Sequence, residues 1–185
     1  MANTSHDNAE VEDVSIAILK YANGAIGQIT SSVVHHGEEQ QVIFQGKKAR
    51  ISAPWKVYAS QPKDNGFPVE NTELEKEIQD FYDSLPEVRF EGHTGQIEDV
   101  LKAIENKTAP LIKGEDGRRT LEIITCIFKS GSTGTRVSLP LRKDDPFYTT
   151  QGIRDNAIHF HQKNKSIENF SDAAITTGSN YKNKK

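Results

Sequence analysis

Three histidines stand where chemistry could be done. His35 and His36 end a stretch of small and β-branched residues and run into Gly37-Glu38-Glu39. His93 lies in Glu91-Gly92-His93-Thr94-Gly95-Gln96, with glycines on both sides. An imidazole donates and accepts hydrogen bonds and changes charge near neutral pH, which suits a hydroxyl-bearing ligand. Glycine lets the backbone approach a ligand closely, and a helix starting there offers free N–H groups. Neighbouring strand residues point to opposite faces, so at most one of His35 and His36 faces a site. The plainer readings are a solvated pair at a strand end for His35 and His36, and a loop histidine beside a helix cap for His93.

Other groups have stronger structural readings. Glu115-Asp116 and Glu38-Glu39 have the form of acid–base carboxylate pairs. The first suits the positive end of a helix better, and the second suits a solvated turn. Trp55, after Pro54, has a ring able to stack on a ligand, but its place beside a hairpin favours packing. Cys126 lies among Ile123, Ile124 and Ile127, the setting of a buried thiol. His159-x-His161 has strand spacing, and neither a His-Glu-x-x-His nor a paired-cysteine pattern occurs. No metal ligand and no catalytic residue is assigned.

Composition narrows the class. A length of 185 residues suits one domain with a core of its own, and one cysteine excludes an internal disulfide framework. The net charge of −3 offers no field for a nucleic-acid backbone or an anionic membrane, so neither is expected as a partner. No apolar run approaches the ~20 residues of a bilayer span. The start is polar and has no apolar signal core, so the cytoplasm is the expected compartment.

The elements that must position these groups come in order. Residues 1–10 read as a polar lead. Period-two alternation starts near Val11, with Val14, Ile16 and Ile18 on one face and Ser15, Ala17 and Leu19 on the other. Asn23-Gly24 is a hairpin signal, and a partner strand covers about 25–35. Strands are expected at about 40–45 and 49–52 around Gly46-Lys47-Lys48, and again at Val57-Tyr58-Ala59. Residues 61–72 read as a loop. Leu74, Ile78, Phe81, Tyr82 and Leu85 mark a helix that Pro86 ends. A second helix starts near Thr94 and carries the stripe Ile97, Val100, Leu101 and Ile104. A third runs from Glu115-Asp116 toward Gly131. Residues 135–141 read as a closing strand, and short helices are expected around 153–160 and 166–174.

Strands, then helices, then a strand imply an α+β fold: an open, mainly antiparallel sheet with helices packed on one face. The other face is then available for dimerisation. The expected divisions are the lead at 1–10, the α+β domain at 11–149 and a partly disordered extension at 150–185.

Several motifs together resemble a known family. Val11-Glu12-Asp13 followed by Tyr21-Ala22-Asn23-Gly24-Ala25-Ile26-Gly27 looks like the opening hairpin of the C-terminal domain of the glucose–fructose oxidoreductase/inositol dehydrogenase/MocA family. Residues 43–51 (Ile-Phe-Gln-Gly-Lys-Lys-Ala-Arg-Ile) are similar to its next hairpin. Gly114-Glu115-Asp116-Gly117-Arg118, Val137-Ser138-Leu139-Pro140-Leu141 and Asp144-Asp145-Pro146-Phe147-Tyr148 resemble its closing helix, strand and ending.

The resemblance implies a C-terminal substrate-binding and dimerisation domain of an NAD(P)-dependent oxidoreductase acting on a sugar, polyol or related hydroxyl compound. It places the strand end at His35-His36 near the substrate and implies a homodimer through the open sheet face. The sequence carries no Gly-x-Gly-x-x-Gly turn, no Glu-Lys-Pro motif and no Asp-x-Gly-x-His-x-x-Asp helix. NAD or NADP is therefore expected for the full-length protein, with no cofactor residue in this chain, which alone is expected to be non-catalytic. The alternative is a free-standing, non-redox binding or dimerisation module of the same fold.

Overall fold

In the computed structural model, residues 1–7, 9–36, 40–87, 89–90 and 92–162 are described. Their elements follow as β1 (Val14–Lys20), β2 (Ile26–Ser32), β3 (Val42–Gln45), β4 (Ala49–Ala53), β5 (Lys56–Pro62), β6 (Pro68–Glu70), α1 (Thr72–Asp83), α2 (Gly92–Asn106), α3 (Gly114–Thr133) and α4 (Thr150–Asn156). All strand pairs are antiparallel, and the sheets are open. The α+β class read from the sequence holds. The strands divide between two sheets, β1-β2 and β3-β4-β5-β6. They belong to two compact units, residues 1–36 with 102 onward and residues 37–101.

In the first unit, β1 and β2 pair from Val14↔Ser32 to Lys20↔Ile26. The Asn-Gly signal makes the turn: Gly24 takes a φ of 88°, a conformation glycine reaches at little cost. The Asn23 side chain accepts the Ala25 N–H at 3.0 Å. On β1, Ala17 and Leu19 are half-buried while Ile16 and Ile18 are exposed, the one-sided burial expected of a half-covered sheet. Gly134, at φ 66°, closes α3 in the left-handed conformation. The core is small: Cys126 from α3, Leu141 and Phe147, with Val137, Ile153 and Ala157 packed around them.

The lead is tied into this unit. Ala2 and Val14 exchange two backbone hydrogen bonds, at 2.9 and 3.1 Å. Farther along, the Phe160 N–H donates to the Glu10 carbonyl at 2.9 Å, and the Ile158 N–H donates to Ser132 Oγ at 3.1 Å.

In the second unit, α1 docks on β5 through side chains that the sequence supplies at the right turns. Asn71 caps the helix by accepting the Leu74 N–H at 3.1 Å. Glu75 accepts the Ala59 N–H at 2.7 Å. Trp55 stacks on Tyr82 with ring centroids 3.8 Å apart, and its indole N–H donates to Gln79 at 2.7 Å. Trp55 is thus a packing residue, as its place beside the hairpin suggested.

Three expectations need correction. Residues 135–141 form no strand. Pro140 has no N–H, the Leu141 N–H is taken by Glu122 at 2.7 Å, and the Thr135 carbonyl by Ser130 Oγ at 2.8 Å. Both ends of the segment are thereby withdrawn from a ladder. Residues 61–72 are no simple loop: β5 runs through Pro62, Gly66 turns the chain at φ 81°, and β6 pairs back from Pro68. The second helix starts at Gly92, so Thr94 lies inside its first turn. The short helix expected at 153–160 is α4, shifted to 150–156, and the one at 166–174 lies outside the described residues. Among the described residues no helix is long and apolar enough to cross a membrane.

Candidate functional site

The first unit carries an open groove of about 830 Å³. One wall is β1 from Ile16 to Lys20, and the floor includes Ile123, Cys126 and Ile127 of α3. The other wall is the irregular segment Arg136–Leu139, and Met1 sits at one end. The sequence explains the floor, since the i, i+3, i+4 spacing of these three residues aims them to one side of the helix. Cys126 is buried and its thiol is pushed up, first by burial and then by the nearby Glu122 charge, with Lys129 acting in opposition. It is a packing thiol, not a nucleophile.

The sequence-selected histidines fall in different units. His35 and His36 are exposed at the end of the first unit, just past β2. The His35 backbone N–H donates to Ser32 Oγ at 3.3 Å, which shapes the turn out of the strand. His93 is exposed in the first turn of α2, in the second unit, with Nδ1 3.2 Å from Gln96 Oε1. Glu38-Glu39 lies outside the described residues.

Glu115 and Asp116 do what their position at a helix start suggested. Asp116 accepts the Lys113 N–H at 3.0 Å, and Glu115 holds the Arg118 guanidinium at 2.8 Å. That hydrogen bond is the main reason the Glu115 carboxyl lies below its usual range. Arg118 also reaches Glu122 at 3.2 Å. These are helix-end contacts.

The residue that sequence reasoning passed over is Asp13. Its side chain is 2% exposed. It accepts the Thr4 N–H at 2.9 and 3.0 Å, the Ser5 N–H at 2.8 Å and the Thr4 hydroxyl at 3.2 Å, and it meets His6 Nδ1 at 3.2 Å. Burial pushes its carboxyl up, but the Thr4 N–H, the His6 ring and the Ser5 N–H outweigh that and lower it to about 2. Such a cluster fastens the lead to β1 and leaves no carboxylate oxygen idle for a ligand. The signal available was Glu12-Asp13, seven to nine residues after the hydroxyl-bearing Thr4-Ser5.

A similar reading covers Asp144-Asp145-Pro146-Phe147-Tyr148. Asp145 caps a short 3₁₀ turn by accepting the Phe147 N–H at 2.9 Å and pairs with Lys129, which holds its carboxyl low. Phe147, 3% exposed, is driven into the small core. These motif residues build the small core and its turn.

The described residues thus define an α+β fold: open antiparallel sheets with helices, a concave face beside β1 in the first unit, and motif residues engaged in structural contacts. The description "Oxidoreductase family, C-terminal alpha/beta domain" matches residues 1–139. The chain belongs to this family, the C-terminal domain of the glucose–fructose oxidoreductase/inositol dehydrogenase/MocA proteins. The match takes in the lead that Asp13 secures and stops before Pro140. Neither the curated proteins nor the solved structures yield a match.

Proposed function

We propose that this chain is the substrate-binding and dimerisation domain of an NAD(P)-dependent oxidoreductase acting on a sugar, polyol or related hydroxyl compound. In such an enzyme, hydride passes between a carbinol carbon and the nicotinamide. The base and the dinucleotide site lie in another half of the enzyme. The family membership supports the redox assignment. Within this reading His35, His36 and His93 are separate candidates for contact with substrate hydroxyls, at most one of the adjacent pair taking part. Each is replaced by alanine in turn in the assembled enzyme: at a contacting histidine the change raises KM more than it lowers kcat, and an unchanged KM for all three removes them from the site.

The observation that carries dimerisation is the open face of the β1-β2 hairpin. Ile16, Ile18 and Ile26 are 59%, 62% and 69% exposed, and the register places them on one side with Gln28 and Thr30. Covering one isoleucine contributes about 1.5–3 kcal/mol, so three together are a strong reason for a partner. The expected partner is a second copy of the chain. Calorimetric titration of the 185-residue chain with NAD and NADP tests the rest. No heat of binding is expected, and micromolar binding of either would overturn the assignment of the dinucleotide site to another half.

A further inference from the structure

We propose that a hollow on the β3-β4-β5 sheet of the second unit is a binding site for a small phosphate-bearing ligand, held by Lys47, Lys48 and Arg50. It shares no residue with the histidine candidates or with the groove beside β1, and it does not rest on the redox reading above.

The register gathers the donors on one side of the sheet. Arg50 stands in one cross-strand row with Gln45 on β3 and Tyr58 on β5. Ser60 lies two residues beyond Tyr58 and so points the same way. Its N–H donates to the Lys48 carbonyl at 2.9 Å, which sets Lys48 beside it. Lys47 and Lys48 fill the tight turn between β3 and β4, closed by the Gly46 N–H donating to the Ala49 carbonyl at 2.9 Å. Turns of this length ordinarily recruit Asn, Asp or Gly, so local folding does not explain two adjacent lysines there. These residues line a hollow of about 250 Å³. Pockets for drug-sized ligands run to roughly 300–1,000 Å³, so this one suits a smaller molecule.

The charge of the hollow is uncompensated. Its lining carries three bases and no acid, although the whole chain holds 26 acids against 23 bases. Among the described residues none of the three forms an ion pair. The acid set beside them by register, Glu70 opposite Ser60, is not in the lining and makes no ion pair with them. Arg50 gives the sharper sign. Its Nε is closed off from solvent with no hydrogen-bond partner among the described residues, and its guanidinium lies 5.7 Å from the centre of the Tyr58 ring. A buried donor of a charged group is costly to leave unpaired, and an oxyanion that takes Nε and an Nη side by side removes that cost. The lysines complete the balance for a dianion. The Tyr58 and Ser60 hydroxyls, without hydrogen-bond partners among the described residues, are donors for its remaining oxygens. A carboxylate would leave part of this charge and these donors unused; a phosphoryl group engages them all.

The test follows the amide resonances of the full chain during titration with inorganic phosphate and, separately, with glycerol 3-phosphate, at an ionic strength held constant with sodium chloride. Saturating shifts confined to residues 45–50 and 58–60 are expected. Arg50→Lys keeps the charge but loses the side-on fork, and should weaken binding by about tenfold or more. Lys48→Gln, on the exposed turn, should weaken it about two- to fivefold. Unchanged resonances away from the hollow report that each variant is folded. Tighter binding of glycerol 3-phosphate would support the site and assign it to a phosphorylated small molecule; equal or tighter binding of inorganic phosphate would support it and assign it to the free ion. Shifts that sodium chloride alone reproduces, or an Arg50→Lys chain that binds as tightly as the wild type, would overturn it. Saturation by an RNA oligonucleotide with none by either small phosphate would overturn it too, and give this face to a nucleic acid.

Discussion

Asp13 shows how a residue in a family motif can serve structure alone. Its carboxylate sits at about 2, against an ordinary value of 3.8, because hydrogen bonds to the charged form outweigh burial. A group whose folded value is depressed adds stability above its unfolded value, and that stability disappears as pH falls through the folded value. The chain should therefore lose stability between about pH 4 and pH 2, and Asp13→Asn should be less stable at pH 6 and flatter over that acid range. Denaturant midpoints across pH 2–6 measure both; an Asp13→Asn curve parallel to the wild type would refute the role. Cys126 makes a second residue-scale case. Its thiol is buried and pushed up, so an aromatic disulfide reagent should label the native chain far more slowly than the urea-unfolded chain. Equal labelling rates would contradict the packing described.

The elements hold by few contacts, so single anchors matter. Phe147→Ala removes the most buried side chain of the first unit's core and should cost about 3–5 kcal/mol by chemical denaturation. A cost under about 1 kcal/mol would show that the Cys126–Leu141–Phe147 cluster holds little. In the second unit, a double-mutant cycle on Trp55 and Tyr82 should return a coupling of about 0.5–1.5 kcal/mol, because their rings stack at 3.8 Å. The sequence made the hairpin at Asn23-Gly24 and the helices α1 and α3 readable, because local rules decide them: a turn needing positive φ and stripes at helical spacing. It misled at residues 135–141, where alternation promised a strand while α3 took the ladder groups away, Glu122 accepting the Leu141 N–H and the Ser130 hydroxyl donating to the Thr135 carbonyl. It missed β6 because proline and asparagine read as loop residues, although Pro68 fits an edge strand. The histidines were visible as residue types, but their spatial relation is a tertiary property that spacing does not encode.

At the scale of the whole molecule, a great deal of apolar surface faces outward. Besides the β1-β2 face, Ile97, Leu101 and Ile104 of α2 are more than half exposed. Contiguous apolar patches mark association sites, which accords with a domain that works within an assembly. Ile26→Lys places a charge on the open face at its most exposed isoleucine and should convert a dimeric species to monomer in sedimentation equilibrium. Equal association by wild type and variant would move the interface elsewhere. The bond from Phe160 to Glu10, with the His159 ring 3.4 Å from the Glu10 carboxylate, has a consequence of its own. It clasps two stretches far apart in the chain at one place. A single tryptic nick after the exposed Arg154 would release the Phe160 side of that clasp and leave the amino end held by the Ala2–Val14 bridge and the Asp13 cluster alone.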